Sequence, residues 1–397
     1  MNKKISEFSW TIDNVNWPPS RRPLGPFGPT MLDILRSCPL RGCFEISDGY
    51  ERRTGYAARI GTALHKTLQS LTDQPPIGSS DTQRLEEATD RFMKELKIQD
   101  AEREKRPRER SLTKDVTRIN LAMEKIMSEA LRIIRANEGQ NLSKAANKYE
   151  LNSIVSVNED PQQPDKVGIE VEVPVKSRDG LLYGRIDLVE HKLEGTHLID
   201  YKFALRSDLP ERYQRQLQLY ALLWYESRGE WPNSAEIIYP LTGSVYSISI
   251  DPDTCRHIGA EARSLISKLR KKAPADQLAT PGEICSVCEF RPWCEPFWKW
   301  QADEKVLLTA LRQANLGFEG EIINIELKNF HWKLMVKWRN CIIRIVAPLE
   351  RFPQLHTAEI GMQIRALDMH LHGQQMRPQA TVTEMSEIFL ILEKASH

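Results

Sequence analysis

The chain has 397 residues, 55 Lys plus Arg against 54 Asp plus Glu, and 41% hydrophobic residues. A net charge of +1 excludes a globally basic, histone-like mode of nucleic-acid binding but leaves room for a local basic groove. The length suits two or three domains, each with its own core, and the composition is that of a soluble globular chain, outside the disordered range.

Glu7 and Asp13 stand where a secretory signal needs apolar residues, and no apolar run approaches membrane-spanning length, so a cytoplasmic protein with no membrane partner is expected. In a reducing compartment the 7 cysteines read as metal or cofactor ligands and not as a disulfide framework.

Residues 1–30, with Pro18, Pro19, Pro23, Pro26 and Pro29, read as an irregular arm. An apolar-periodic helix at 31–35 runs into Pro39, which should interrupt or redirect it. A second helix from about 61 carries Ala63, Leu64 and Leu68 around His65. A helical insertion is expected at about 81–148, its charged middle at 101–112 being a solvated connection. Ile169, Val171, Val173 and Val175 then alternate with Glu170, Glu172 and Pro174, which is strand period. Further strands are expected at 182–189, after the Asp179-Gly180 turn, and at 196–203. A helix at 210–227, strands at 235–239 and 244–250, and a helix at 258–269 complete a mixed α/β region. After a helical connector at 301–316, five short strands between 318 and 391 suit a small barrel.

Asp200 and Lys202 are two apart in a strand, so they share a face, opposite Ile199 and Tyr201. Pairing through the turn at Glu194-Gly195 sets Asp187 beside Asp200. Two carboxylates and a lysine at a hairpin form a hard-oxygen site for a divalent cation, with the lysine orienting water or countering developing charge. The same residues also read as a strand-face salt bridge.

Gly184-Arg185-Ile186-Asp187-Leu188-Val189 followed by Leu198-Ile199-Asp200-Tyr201-Lys202 resembles the core of the PD-(D/E)XK nuclease superfamily, in its RecB-like branch. The branch's upstream G-x-x-x-H is matched by Gly61 to His65, and its downstream Q-x-x-x-Y-A by Gln216, Tyr220 and Ala221, all in family order. The resemblance implies a restriction-endonuclease-like α/β core and Mg²⁺ or Mn²⁺ held by His65, Asp187, Asp200 and the backbone carbonyl of Tyr201. It also implies catalysis by Asp187, Asp200 and Lys202, with Gln216 and Tyr220 bordering the site and steadying Lys202 and the scissile phosphate. The imidazole ligand favours Mn²⁺. The first acidic motif lacks the superfamily's nominal proline. Taken singly, His65 reads as a surface helix histidine, and Gln216 and Tyr220 as part of an amphipathic helix with Leu217, Ala221 and Trp224.

Cys285, Cys288 and Cys294 form C-x2-C-x5-C, which suits a soft metal or an iron-sulfur cluster with a fourth ligand from Cys38 or Cys43. RecB-like nucleases of the AddB type and the CRISPR-associated exonucleases have a similar C-P-x-R near the N-terminus, matched by Cys38-Pro39-Leu40-Arg41. That resemblance implies a 4Fe-4S cluster on Cys38, Cys285, Cys288 and Cys294; tetrahedral zinc is the alternative. Cys255 and Cys341 read as buried thiols.

Gly317 and Gly320 open the first strand with the glycines of a small barrel, and Gly361 to Ala366 resembles the strand after the helix position in OB-folds. Lys333, Lys337 and Arg339 alternate with Trp332, Leu334, Val336 and Trp338, and Lys328 and Arg344 add to the charge. Lys328, Trp332, Lys333, Lys337, Arg339 and Arg344 are therefore the candidate nucleic-acid contacts, in the mixture that single-strand binders use. The tryptophans also suit a core, the lysines a solvated exterior, and such a domain also suits a protein partner. No Walker A pattern is present, so a helicase or ATPase motor would be a separate partner. The expected organisation is a RecB-like nuclease domain at 1–300, a connector at 301–316 and an OB-like domain at 317–397. The expected function is a metal-dependent DNase acting on single strands in repair, recombination or mobile-element defence. The alternative is a non-catalytic DNA-binding or scaffolding subunit of a helicase-nuclease or defence complex.

Overall fold

A computed structural model describes residues 10–13, 17–19, 23–76, 80–102, 168–204, 206–239, 242–270, 274–302, 316–374 and 377–392, with isolated positions between 108 and 131. Most of the expected insertion beyond 102, the connector at 303–315 and parts of the N-terminal arm lie outside the described residues.

In chain order the described elements are β1 (Thr11–Asp13), α1 (Pro29–Ser37), α2 (Pro39–Ile46), α3 (Tyr56–Asp73), α4 (Asp81–Ala101), β2 (Gly168–Lys176), β3 (Tyr183–Lys192) and β4 (Gly195–Tyr201). They continue with α5 (Glu211–Arg228), β5 (Ser234–Tyr239), β6 (Ser244–Ser249), α6 (Pro252–Arg270) and α7 (Glu295–Gln301). The last five strands are β7 (Leu316–Lys328), β8 (His331–Trp338), β9 (Cys341–Pro348), β10 (Gln363–Gln374) and β11 (Arg377–Leu392). Pro39 redirects the chain as expected: Cys38 becomes the N-cap of α2, and Pro39 takes its first turn, where its missing N–H costs nothing. No described helix is long and apolar enough to cross a membrane.

The chain divides into two compact units. The first comprises Leu24–Asp33 and Arg53–Arg270, and contains the sheet β2-β3-β4-β5-β6. β2, β3 and β4 pair antiparallel, and β4 pairs parallel with β5 across the α5 crossover. Ile60, Ala63, Leu64 and Leu68 of α3 pack against Leu188, Ile199 and Tyr201 of the central strands. The helical period in α3 and the strand period in β3 and β4 thus meet in one core.

The second unit comprises Met1–Pro23, Ile34–Arg52 and Lys271–His397. Its five strands close as β7-β8-β9-β11-β10 and back to β7, with β9 and β11 parallel and the other pairs antiparallel. Asp368, at φ 56°, sits where the β10 register shifts, and such a bulge lets a long strand curve round a barrel. Residues 11–13, expected to be irregular, instead form β1 alongside β11, with Thr11 opposite Leu390.

This division differs from a boundary at 300, because the cysteine-bearing segments pack with the barrel. Leu40, Phe44, Phe290, Trp293 and Phe297 share a core with Leu367 and Phe389. Arg291 Nη2 donates to both carboxylate oxygens of Asp368, at 3.0 and 2.9 Å. Arg365 donates to Glu319, the Pro292 carbonyl and Glu295 at 2.6, 2.7 and 2.6 Å.

Candidate active site

The β3–β4 register pairs Leu188 with Ile199, which sets Asp187 and Asp200 next to each other on neighbouring strands. Asp187 Oδ2 accepts the Tyr201 N–H at 2.7 Å, and Asp187 Oδ1 lies 3.4 Å from His65 Nδ1. Glu172 Oε1 lies 3.4 Å from the same nitrogen. The ligand atoms of His65, Glu172 and Asp187 all fall within 4.8 Å of one another, the one such group among the described residues. Buried Asp200 reaches Lys202 Nζ at 2.5 Å through Oδ2, and its Oδ1 accepts from Gln216 Nε2 at 2.8 Å. Gln216 also donates to the Tyr220 hydroxyl at 3.2 Å. Gly184 makes room for this helix: a Cβ there would fall 2.7 Å from the Tyr220 ring.

Charge is dense here, and it sets the protonation states. Burial, followed by the negative charge of Asp200, pushes the Asp187 carboxyl up to about 7. For His65 burial pulls downward, but the hydrogen bond to Glu172 and the charges of Asp187 and Asp200 outweigh it and leave the imidazole raised. Lys202 behaves alike: burial lowers it, and Asp200 and Asp187 more than reverse this. Glu172 is raised by burial and then drawn below its ordinary value by His65 and Arg185. Burial, then Asp200 and Asp187, hold Tyr220 well above the usual phenol range.

The raised Asp187 has a consequence for stability. An unfolded Asp titrates near 3.8, so the metal-free fold loses stability as pH rises from about 4 through 7. Asp187→Asn should therefore raise the melting temperature in EDTA by roughly 3–6 °C at pH 8, with the gain vanishing toward pH 4. A lower melting temperature at pH 8 would contradict this electrostatic account.

His65, Asp187, Asp200, Lys202, Gln216 and Tyr220 are thus brought to one place. Tyr201 joins through its N–H to Asp187, and its ring packs edge-on to His65 with centroids 6.4 Å apart. Gln216 contacts Asp200 and not Lys202; the aromatic ring beside Lys202 is that of Tyr213, whose centroid is 5.2 Å from Nζ. Glu172 is not among the site residues that the sequence motifs mark. Strand alternation marks both Glu170 and Glu172, but Glu170 pairs with His191 at 2.8 Å while Glu172 turns to His65. Glu172 does so at φ 54°, a left-handed conformation that is costly for a non-glycine residue inside a strand.

In the barrel, Leu334, Val336 and Trp332 point inward, and Trp332, 7% exposed, meets His356 edge-on. Its indole belongs to the core, which corrects the expectation that it stacks on bases. Lys328, Lys337, Arg339 and Arg344 are exposed and Lys333 partly so. The register sets Lys333 opposite Glu326 and Lys337 opposite Glu321, so β7 offsets part of the basic stripe. Arg339 also donates to the Ala302 carbonyl at 2.6 Å. The exposed aromatic is Phe330, 82% exposed at the β7–β8 turn and held at φ 59°.

Cys38 and Cys294 each cap the start of a helix with a proline in its first turn, while Cys285 lies within the short 3-10 turn Glu283–Val287 and Cys288 caps its end. Burial raises Cys285 and pushes Cys288 up to about 12. Cys294 is raised by burial and by the neighbouring Cys288, Cys38 and Cys285, and all four cysteines belong to or border one apolar cluster with Phe44, Phe290 and Trp293. The Gly282 N–H points to Cys285 Sγ at 3.5 Å, while backbone N–H groups of Phe290 and Phe297 favour the thiolates of Cys288 and Cys294.

A hairpin-borne pair of acids with an adjoining lysine, a helix histidine and a β4-α5-β5 crossover define the nuclease class whose chemistry is carried by acidic strand residues. The chain matches the PD-(D/E)XK nuclease superfamily over residues 26–295 and belongs to it. Members of that superfamily are in general metal-dependent nucleases. No curated protein matches the chain. Among solved structures it is similar to the tetrameric p202 HIN2, at 17% identity and TM-score 0.17, over 20% of this chain and 42% of that one. A replication factor A related protein from Methanobacterium thermoautotrophicum is 16% identical, TM-score 0.16, over 19% and 80% of the two chains. The protein SSO0001 is 15% identical, TM-score 0.23, over 59% and 95%. The chain therefore spans less than half of the p202 structure and nearly all of SSO0001.

Proposed function

We propose that the protein is a RecB-like, divalent-metal-dependent deoxyribonuclease that cleaves single-stranded DNA. The observation that carries this reading is the convergence of His65, Glu172 and Asp187 beside the Asp200–Lys202 pair. One imidazole and carboxylate oxygens suit Mn²⁺ or Mg²⁺, which when bound supplies Lewis acidity at the phosphate and an acidified water. Glu172 joins His65, Asp187 and Asp200 in holding the ion. Lys202 faces the attacked phosphate as its charge develops, and Gln216, bonded to Asp200, fixes that carboxylate's rotamer. End-labelled and circular single-stranded DNA incubated with Mn²⁺ test the reading together: nicked circles mean endonuclease action, and shortening from one end means an exonuclease with polarity. Binding without any cleavage would instead support a non-catalytic subunit of a repair or defence assembly, working with a separate helicase or ATPase.

The four cysteines fit a 4Fe-4S cluster. Tetrahedral zinc on the same four thiolates is the alternative, and iron, zinc and sulfide analysis separates the two. In this reading the cluster is structural and ties residues 34–52 to 271–302.

The five-strand closure supports an OB-like domain whose β8–β9 face and β7–β8 turn hold the strand. Phe330 is the stacking residue of this reading, because a bulky side chain kept exposed at a left-handed turn position is costly without a ligand. Phe330→Gly should stabilise the barrel by about 1 kcal/mol, since glycine adopts that conformation freely, while weakening oligothymidylate binding by about fivefold or more. Trp332→Ala should cost about 3–5 kcal/mol as a core truncation. Denaturant melts and fluorescence anisotropy separate the two, and unchanged binding in Phe330→Gly would remove Phe330 from the interface.

A further inference from the structure

We propose that Arg185 and Arg212 bind the phosphates on either side of the scissile one, so that the strand crosses the metal centre from one arginine to the other. This rests on the nuclease reading above and adds the path of the substrate. Three carboxylates, those of Glu172, Asp187 and Asp200, converge at the centre, and a polyanion approaching them needs cations at the rim.

Arg185 lies two residues before Asp187 in β3 and so shares its face. Its side chain is 63% exposed, and its guanidinium reaches Glu172 Oε2 at 3.5 Å, which places it on the Glu172–His65 side of the centre. That is one long contact for a group with five donors. On the Lys202 side, Arg212 lies 4.8 Å from the centroid of the Tyr213 ring, the same ring that Lys202 Nζ approaches at 5.2 Å. Arg212 also donates to the Tyr213 hydroxyl at 3.3 Å. The neighbouring Arg215 is spent on Glu211, and Arg206 on Asp208, whereas a guanidinium lying on a neutral ring keeps its charge for an anion. Contacts thus link Arg185 to the His65–Glu172–Asp187 group, that group to Asp200–Lys202 through the β3–β4 pairing, and Lys202 to Arg212 through the Tyr213 ring. The planar fork of arginine suits a phosphodiester at each end.

The test compares two substrates with Mn²⁺ and the full-length chain. Thymidylyl-thymidine carries the scissile phosphate alone, and an oligothymidylate octamer carries flanking phosphates as well. Arg185→Ala and Arg212→Ala should each raise KM for the octamer by about 5–10-fold with kcat within about twofold. The salt slope of log kcat/KM should become shallower by about 0.7 for each. Rates on thymidylyl-thymidine and the Mn²⁺ concentration for half-maximal activity should stay at wild-type values. Equal losses on both substrates, or a raised Mn²⁺ requirement in Arg185→Ala, would show that Arg185 only props Glu172 and would overturn the proposal. An octamer KM unchanged in either variant does the same while wild-type cleavage leaves the nuclease reading standing. A wild-type chain that cleaves neither substrate defeats both.

Discussion

Asp200→Asn and Lys202→Ala are each expected to lower the rate of single-strand cleavage by about 10³-fold while the circular dichroism spectrum stays that of the parent. Asp200 is 2% exposed and holds Lys202 at 2.5 Å and Gln216 at 2.8 Å. The asparagine keeps the size of the side chain and a carbonyl for Gln216, so the change removes charge from the centre without opening a cavity. Lys202→Ala removes the cation nearest the place where phosphate charge develops, and the Asp200 carboxylate that it leaves behind retains Gln216 as a donor. Mn²⁺ binding followed by calorimetry should weaken in Asp200→Asn, and again in Glu172→Gln, since both supply oxygens to the proposed ion. Cleavage within tenfold of wild type in Asp200→Asn would reduce the D-x-K pair to a strand-face salt bridge and favour a non-catalytic role.

The second large effect is expected at the cysteines. Anaerobically purified protein should be brown and carry about four iron atoms per chain, and Cys294→Ala should lose the colour and the iron. The same substitution should lower the melting temperature of the barrel-containing unit by about 10 °C or more, because metal-ligand free energy is folding free energy. The physical route is short. Arg291, Pro292 and Trp293 immediately precede Cys294, and they engage Asp368, Arg365 and Phe389 of β10 and β11. Burial holds the free thiols of Cys285, Cys288 and Cys294 protonated, so the unloaded site loses its ligand bonds and gains no compensating charge. Cys43→Ser should keep its iron if Cys38 is the fourth ligand. One zinc per chain with no acid-labile sulfide would retire the cluster.

Local pattern carried most of the candidate site. Strand alternation around Asp187 and Asp200, the helical spacing of Gln216 and Tyr220, and the turn signals at Asp179-Gly180 and Glu194-Gly195 are short-range properties. They allow the hairpin, the α5 face and the shared side of Asp200 and Lys202 to be read from the sequence alone. Five strands in the last eighty or so residues were likewise visible, since period and turns alone define them.

The amino-acid sequence by itself thus determined the nuclease motifs, their order and the strands that bear them. Only the tertiary structure decided which glutamate faces His65, because Glu170 and Glu172 have the same alternation and differ in a single left-handed backbone angle. Only barrel closure put Trp332 inside and left Phe330 outside, and only the β7–β8 register brought Glu326 and Glu321 opposite the lysines. The packing of the cysteine segments with β10 and β11 came from pairs such as Arg291–Asp368, which are far apart in the chain. Each of these is a long-range choice of partner, and residue type and local period do not encode it.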